Sequence, residues 1–247
     1  MNGLVFDLRE MTVHDGDGVR VTVFFKGCPL RCEWCHNPEG LSFQPQLLYK
    51  RARCVNCGRC KTPCAHEECK PYGRCLHICP NDCLSVCGEE YTPERLAEKL
   101  LSYKPLFDAC GGGVTFSGGE PLAQSEFVFS CVSLLKGVHT TVETSGFVEK
   151  KTFLRAMEVF DKVIMDLKLF DSELHKRYTG VGNERIKENF LLLKKSKKAH
   201  LIRTPLIAGK TDSEENIRLL SEFIGDSPWE KLPENPLADA KKSFLLL

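Results

Sequence analysis

Short β-branched apolar runs recur along this chain and alternate with segments of helical period. The runs are "VRVTVFF" from Val19, "GVTFS" from Gly113, "HTTVET" from His139, "KVIMDLK" from Lys162, "HLIRTPLI" from His200 and the weaker "WEKL" from Trp229. Each reads as a strand with one or both faces buried. Between them "TPERLAEKLLSY", "SEFVFSCVSLLK" from Ser125, "KKTFLRAMEVF", "NERIKENFLLLKK" and "DSEENIRLLSEFI" from Asp212 read as helices that bury one face. Thr92 as N-cap and Pro93 at the first helical position mark where the first of these begins. Strand and helix in repeated alternation predict parallel βα units with right-handed crossovers. Six such units need about 180 residues, whereas a closed eightfold barrel takes about 250. The expected fold is therefore α/β, a partial (β/α)6 barrel of the TIM type.

Composition narrows the function classes. Of 247 residues, 42% are hydrophobic and 27% charged, which excludes wholesale disorder. A net charge of +1 gives no field to gather phosphates, so nucleic acid is not expected as a partner. No apolar stretch reaches the length of a membrane span, and "MNGLVFDLRE" lacks the basic and apolar regions of an export signal. The expectation is a cytoplasmic chain that does not engage membranes. The basic run Lys194 to Lys198 falls at a helix end, where cations favour the dipole, and needs no further function.

Fourteen cysteines change the picture. In a reducing compartment thiols ligate metal more often than they pair. Cys28, Cys32 and Cys35 lie in the opening stretch, nine lie between Cys54 and Cys87, and Cys110 and Cys131 stand alone. The division that follows is a core over 1–49 and 91–247, interrupted by a cysteine-rich insert over 50–90. Cys131, on the apolar side of a helix, reads as a small core residue.

Four readings compete for "GCPLRCEWCHNPEG", Gly27 to Gly40. "CEWCH" matches c-type haem attachment, but that chemistry belongs to exported chains. A structural zinc needs four ligands, and His36 next to Cys35 would chelate one tetrahedral ion awkwardly. Buried cysteines without metal do not suit so polar a loop. An iron–sulfur cluster on three thiolates leaves one iron open, the arrangement by which a metal site binds substrate.

C-x3-C-x2-C with Trp34 before the last cysteine resembles the signature of the radical S-adenosylmethionine (radical SAM) superfamily. "HDGDGVR", "FFKGCPLRCEWCHNPEG", "GGGVTFSGGEPL", "VETSGF", "MDLKLFD" and "IRTPLI" together are similar to the activating enzymes of glycyl-radical enzymes. The resemblance implies a [4Fe–4S] cluster with an open iron on Cys28, Cys32 and Cys35, and reductive cleavage of S-adenosylmethionine. The resulting 5′-deoxyadenosyl radical takes a hydrogen atom from a glycine of a partner glycyl-radical enzyme. Gly118 and Gly119 would let backbone approach the ligand and Glu120 would take its ammonium. Lys168 would take its carboxylate, Glu143 and Asp166 a monovalent cation, and Ser145, Arg203 and Asn235 would complete the site. Trp34 and His36 would flank the adenine or the cluster. The implied electron source is a low-potential donor such as flavodoxin or ferredoxin, and the chain is expected to be a monomer.

In the insert, "CVNCGRCKTPC" has the C-x2-C-x2-C-x3-C spacing of bacterial ferredoxins, whose fourth cysteine serves the other cluster. One auxiliary [4Fe–4S] cluster would take Cys54, Cys57, Cys60 and Cys79. A second would take Cys64, Cys69 and Cys75, with Tyr72 standing where a cysteine belongs and Cys83 or Cys87 supplying the missing ligand. A zinc-binding insert is the alternative, because C-x2-C pairs do not distinguish the metals. At the C-terminus, Glu234 stands where the family has tyrosine and Asp239 where it has glycine, and a shortened end is expected. Asp17 likewise replaces a usual proline. Two other functions stay open on sequence alone, a radical SAM enzyme for a different substrate and an iron–sulfur electron carrier.

Overall fold

The computed structural model describes residues 1–234, and 245–246 as backbone. In chain order the elements are β1 (Gly3–Thr12), β2 (Arg20–Phe25), β3 (Gln46–Tyr49), β4 (Leu84–Cys87), β5 (Glu89–Tyr91), α1 (Pro93–Leu101), α2 (Lys104–Cys110), β6 (Gly113–Gly118), α3 (Ser125–Leu134), β7 (His139–Thr144), α4 (Lys150–Val159), β8 (Lys162–Asp166), α5 (Ser172–Thr179), α6 (Glu184–Lys195), β9 (Ala199–Leu206), α7 (Glu214–Ile224), β10 (Trp229–Pro233) and β11 (Leu245–Leu246). The main sheet runs β10-β9-β8-β7-β6-β2-β1-β5. Its six strands from β2 to β10 are parallel neighbours taken in chain order, as expected of a singly wound, barrel-like βα array. The sheet ends at β10 and β5, so it forms a partial barrel rather than a closed one.

The six expected strands are these six parallel strands. All six residues of β2 are buried, as befits a strand covered on both faces. One core unites the strands and helices: Val23, Phe25, Phe116, Val142, Met165 and Ile202 from the sheet meet Leu96, Leu100, Phe127, Phe153, Phe190 and Leu220 from the helices. The Thr92 hydroxyl accepts from the Arg95 N–H at 3.2 Å and caps α1. Cys131 is fully buried in this core.

Two features were not foreseen. β1 adds an antiparallel strand beside β2, and β5 extends it further. A second, three-stranded sheet is made where β3 pairs antiparallel with β4 and β11 joins β3. No helix among the described residues is long and apolar enough to cross a membrane.

Candidate active site

The cysteine loop leaves the C-terminal end of β2 through Gly27, whose φ of +90° suits glycine and whose Cβ position would fall 2.4 Å from the Phe43 ring. The loop is held at several points. Leu41 O accepts from Cys28 N at 3.3 Å, and the end of α5 accepts from it twice, Thr179 O from Arg31 N (2.7 Å) and Tyr178 O from Glu33 N (3.1 Å). Lys210 pairs with Glu33 at 2.5 Å.

These anchors present Cys28, Cys32, Trp34, Cys35 and His36 to a cleft of about 980 Å³, counting its open mouth. Much of the other lining comes from the same end of the sheet: Ser117 and Gly118 at the end of β6 and Gly119 after it, Glu143 and Thr144 at the end of β7 and Ser145 after it, Asp166 at the end of β8 and Lys168 after it, Pro205 from β9, and Leu232 and Pro233 from β10. Barrel enzymes place their sites at this C-terminal face. None of the three cysteines is in a disulfide. Burial first, and then the Glu120 charge, pushes the Cys28 thiol up to about 12, while burial pushes Cys32 up to about 11. Without metal both are thiols rather than thiolates near neutral pH, and a metal must displace their protons. Trp34 packs with Leu169, Ile207 and Tyr178 beneath the loop.

The acids are arranged as two ion pairs. Asp166 lies 2.5 Å from the Lys168 ammonium. Burial alone would lower Lys168, but the Asp166 carboxylate outweighs it and holds the ammonium above its usual range. Glu143 accepts from Ser117 Oγ at 2.5 Å and from Arg203 Nη1 at 2.9 Å. Arg203 also donates to Glu230 at 2.8 Å and to the carbonyl of His14. The guanidinium is therefore beneath the cleft, touching it only through Glu143. The two acids expected to hold a monovalent cation thus already meet a guanidinium and an ammonium, which neutralise them.

Glu120 sits behind the cleft wall. Its carboxylate is fully buried and does not line the cleft. Thr144 Oγ1 and Leu122 N donate to one oxygen (2.7 and 3.2 Å), and Ser145 N and Oγ donate to the other (2.8 and 2.6 Å). The residue clamps the end of β7 to the turn after β6. Gly119 is likewise demanded by packing, since a Cβ there would fall 2.4 Å from Gly40 O and 2.7 Å from Gly27 O. Asn235 and Asp239 lie outside the described residues. Sequence reasoning missed Ser117, Thr144, Leu232 and Pro233; their place one residue before, or at the end of, a parallel strand was the signal that marked them.

"HDGDGVR" is spent inside the barrel. Thr115 Oγ1 donates to Asp15 O at 2.7 Å, Thr22 Oγ1 to the Asp15 carboxylate at 2.9 Å, and the fully buried Arg20 to Thr115, Val114 O and Thr141 at 2.7 to 3.1 Å. Asp17 pairs with Lys162 at 2.9 Å.

The insert forms two groups. Cys54, Cys57, Cys60, Cys79 and Cys83 surround a cavity of about 350 Å³. Cys83 donates its N–H to the Cys79 sulfur at 3.3 Å, so it belongs here and not with the second group. Cys87 lies on β4 opposite Gln46. The second group is Cys64, Cys69 and Cys75 with His66, a residue the sequence reading did not single out. Neither Cys83 nor Cys87 completes it.

Comparison with known proteins bears on this geometry. The Radical SAM superfamily model matches residues 22–220. The choline trimethylamine-lyase activating enzyme of Oleidesulfovibrio alaskensis is 38% identical over 90% of this chain and 77% of its own length. The trans-4-hydroxy-L-proline dehydratase activating enzyme of Clostridioides difficile is 35% identical over 91% of this chain and 80% of its own. Streptococcus suis SuiB, solved with its precursor peptide SuiA, shares the fold at a TM-score of 0.53 and 16% identity, over 85% of this chain and 38% of that one. The chain belongs to the radical SAM superfamily. Within it the chain is an activating enzyme of glycyl-radical enzymes, a class that works with a [4Fe–4S] cluster and S-adenosylmethionine.

Proposed function

We propose that Cys28, Cys32 and Cys35 hold the [4Fe–4S] cluster of this activating enzyme and that the surrounding cleft binds S-adenosylmethionine. The observation that carries this reading is the convergence of three thiols from one loop with the Lys168 ammonium at the C-terminal end of the parallel sheet. The donor set fits: the loop offers three sulfurs and no obvious fourth, and the cleft has the size and largely apolar walls of a small-molecule site. When bound, the cluster and S-adenosylmethionine supply reductive cleavage to methionine and a 5′-deoxyadenosyl radical, which takes a hydrogen atom from a glycine of the partner.

The chain's own residues bind and orient. Lys168, charged and held by Asp166, offers its ammonium to the methionyl carboxylate. Ser117, Thr144 and Ser145 offer hydroxyls at the same rim. Trp34, Pro205 and Leu232 supply apolar walls that exclude water from one side of the ligand. Glu143 holds Arg203 in place, and with Asp166 it lines the part of the cleft where a monovalent cation would sit.

A division into a core of 1–49 and 91–247 with an insert of 50–90 is supported by the pairing of β3 with β4, which brings the two ends of the insert together. The Cys54, Cys57, Cys60 and Cys79 cage suits an auxiliary [4Fe–4S] cluster. The partner is a glycyl-radical enzyme. The relatives of near-equal identity serve a lyase and a dehydratase, so the likeness sets the class of partner. A low-potential donor of the flavodoxin or ferredoxin kind supplies the electron, and the chain acts as a cytoplasmic monomer.

The test is electron paramagnetic resonance of the anaerobically reduced protein with and without S-adenosylmethionine. A shift of the cluster signal on addition, absent in Cys32→Ser and needing higher ligand concentration in Lys168→Met, is expected. A signal insensitive to the ligand in the wild type contradicts the assignment.

A further inference from the structure

The second half of the insert does not fit the ferredoxin cluster that its spacing implies. A ferredoxin site draws on four cysteines, and here Tyr72 stands at the place of one, while Cys83 is committed to the other cage. The structure instead gathers Cys64, His66, Cys69 and Cys75 so that one ligand atom from each lies within 4.8 Å of all the others. His66 Nδ1 is 3.9 Å from the Cys75 sulfur.

We infer that these four residues form a closed, mononuclear Cys3His zinc site, so that the insert holds two different metals. The reasoning is one of size and donor type. With Zn–S near 2.3 Å and Zn–N near 2.0–2.1 Å, the edges of a zinc tetrahedron are about 3.5–3.8 Å. The thiolates of a four-iron cube each sit on a different iron, with the whole cube between them, and stand farther apart. The observed group is compact in the first sense. Three cysteines and one histidine are a common structural zinc set, and four protein ligands leave no position open for substrate.

The surroundings fit the same reading. The Leu76 N–H points at the Cys69 sulfur at 3.3 Å and would share its thiolate charge. Cys69 and Cys75 are buried, while His66 reaches in from the surface. Cys75 N donates to Cys60 O at 2.9 Å, tying the zinc half to the cage of the iron half. This inference is independent of the roles proposed for the cleft.

The test uses the full chain, produced anaerobically with iron and zinc both supplied and purified without added metal. About one zinc and about eight iron atoms per chain are expected, with a zinc absorption-edge spectrum of three sulfurs and one nitrogen. Cys69→Ser should lose at least tenfold of its zinc while keeping its eight irons. In His66→Ala, a surface change that spares the fold, the nitrogen should leave the zinc shell. About twelve irons without zinc, four of them lost in Cys69→Ser, would overturn the inference in favour of a second cluster. Zinc retained in Cys69→Ser, or an unchanged shell in His66→Ala, would overturn it as well.

Discussion

Lys168 and Glu120 are both buried ions beside the cleft, and their partners give them opposite tasks. Lys168 has one strong partner, Asp166, and faces the cavity. Removing its charge in Lys168→Met forfeits a charge-assisted contact of about 1.5–3 kcal/mol, a roughly ten- to hundredfold weaker affinity for S-adenosylmethionine. Equilibrium binding to the reconstituted protein checks this, and unchanged affinity would refute the assignment. Glu120 has four donors and no face on the cavity. Glu120→Ala leaves those donors unpaired in the core at a cost of about 1–3 kcal/mol, read as a lower urea midpoint. The sequence could name both residues but not separate them. "SGGEP" and "MDLKLFD" each put a charge just past a strand end, and which way a side chain turns there depends on donors such as Thr144 and Ser145 that lie more than twenty residues away. His66 was hidden for a related reason. The eye follows cysteine spacing, and a histidine between Cys64 and Cys69 becomes a ligand only once the chain folds back to bring Cys75 alongside.

At the scale of elements, legibility followed burial. Of the six parallel strands, β2, β6, β7, β8 and the middle of β9 are largely buried and read as apolar runs, so their positions were plain, whereas the mostly exposed β10 gave only a weak one. β1, "GLVFDLREMT", has Asp7, Arg9 and Glu10 on a half-exposed strand and showed no such run. α2 has seven residues with Pro105 at its start, and α5 has eight mostly polar ones, too short for a period to emerge. The loops around the cleft depend on close backbone approach. A methyl group at Gly119 would meet the carbonyl oxygens of Gly40 and Gly27, neither of which is the movable end of a side chain. Gly119→Ala is expected to cost about 1–3 kcal/mol, with a lower urea midpoint, an unchanged denaturant slope and weaker ligand binding. A midpoint equal to that of the wild type would show that the three loops are not so closely held.

At the scale of the whole molecule, the stability of the core should depend on pH through His175. Burial holds this imidazole below its ordinary 6.5 although it bonds to Val181 O at 2.7 Å. The unfolded chain therefore binds the proton first as pH falls. Stability is complete above 6.5 and declines as pH drops through the window below it, by up to about 1.4 kcal/mol per pH unit. Denaturant titrations across that window should show the decline in the wild type and a shallower one in His175→Gln. On the proposed reading a core does the chemistry and an insert holds metal, and these parts should fail separately. Changes in the insert cysteines should alter metal content while the first cluster still assembles.

The central claim is that the loop of Cys28, Cys32 and Cys35 holds the cluster at which S-adenosylmethionine is cleaved. Its most direct test is the yield of 5′-deoxyadenosine after anaerobic reconstitution and reduction, measured with iron content in the wild type and in Cys32→Ser. Product is expected from the wild type, and from the variant no product and about four fewer irons. Product formation retained by Cys32→Ser would contradict it.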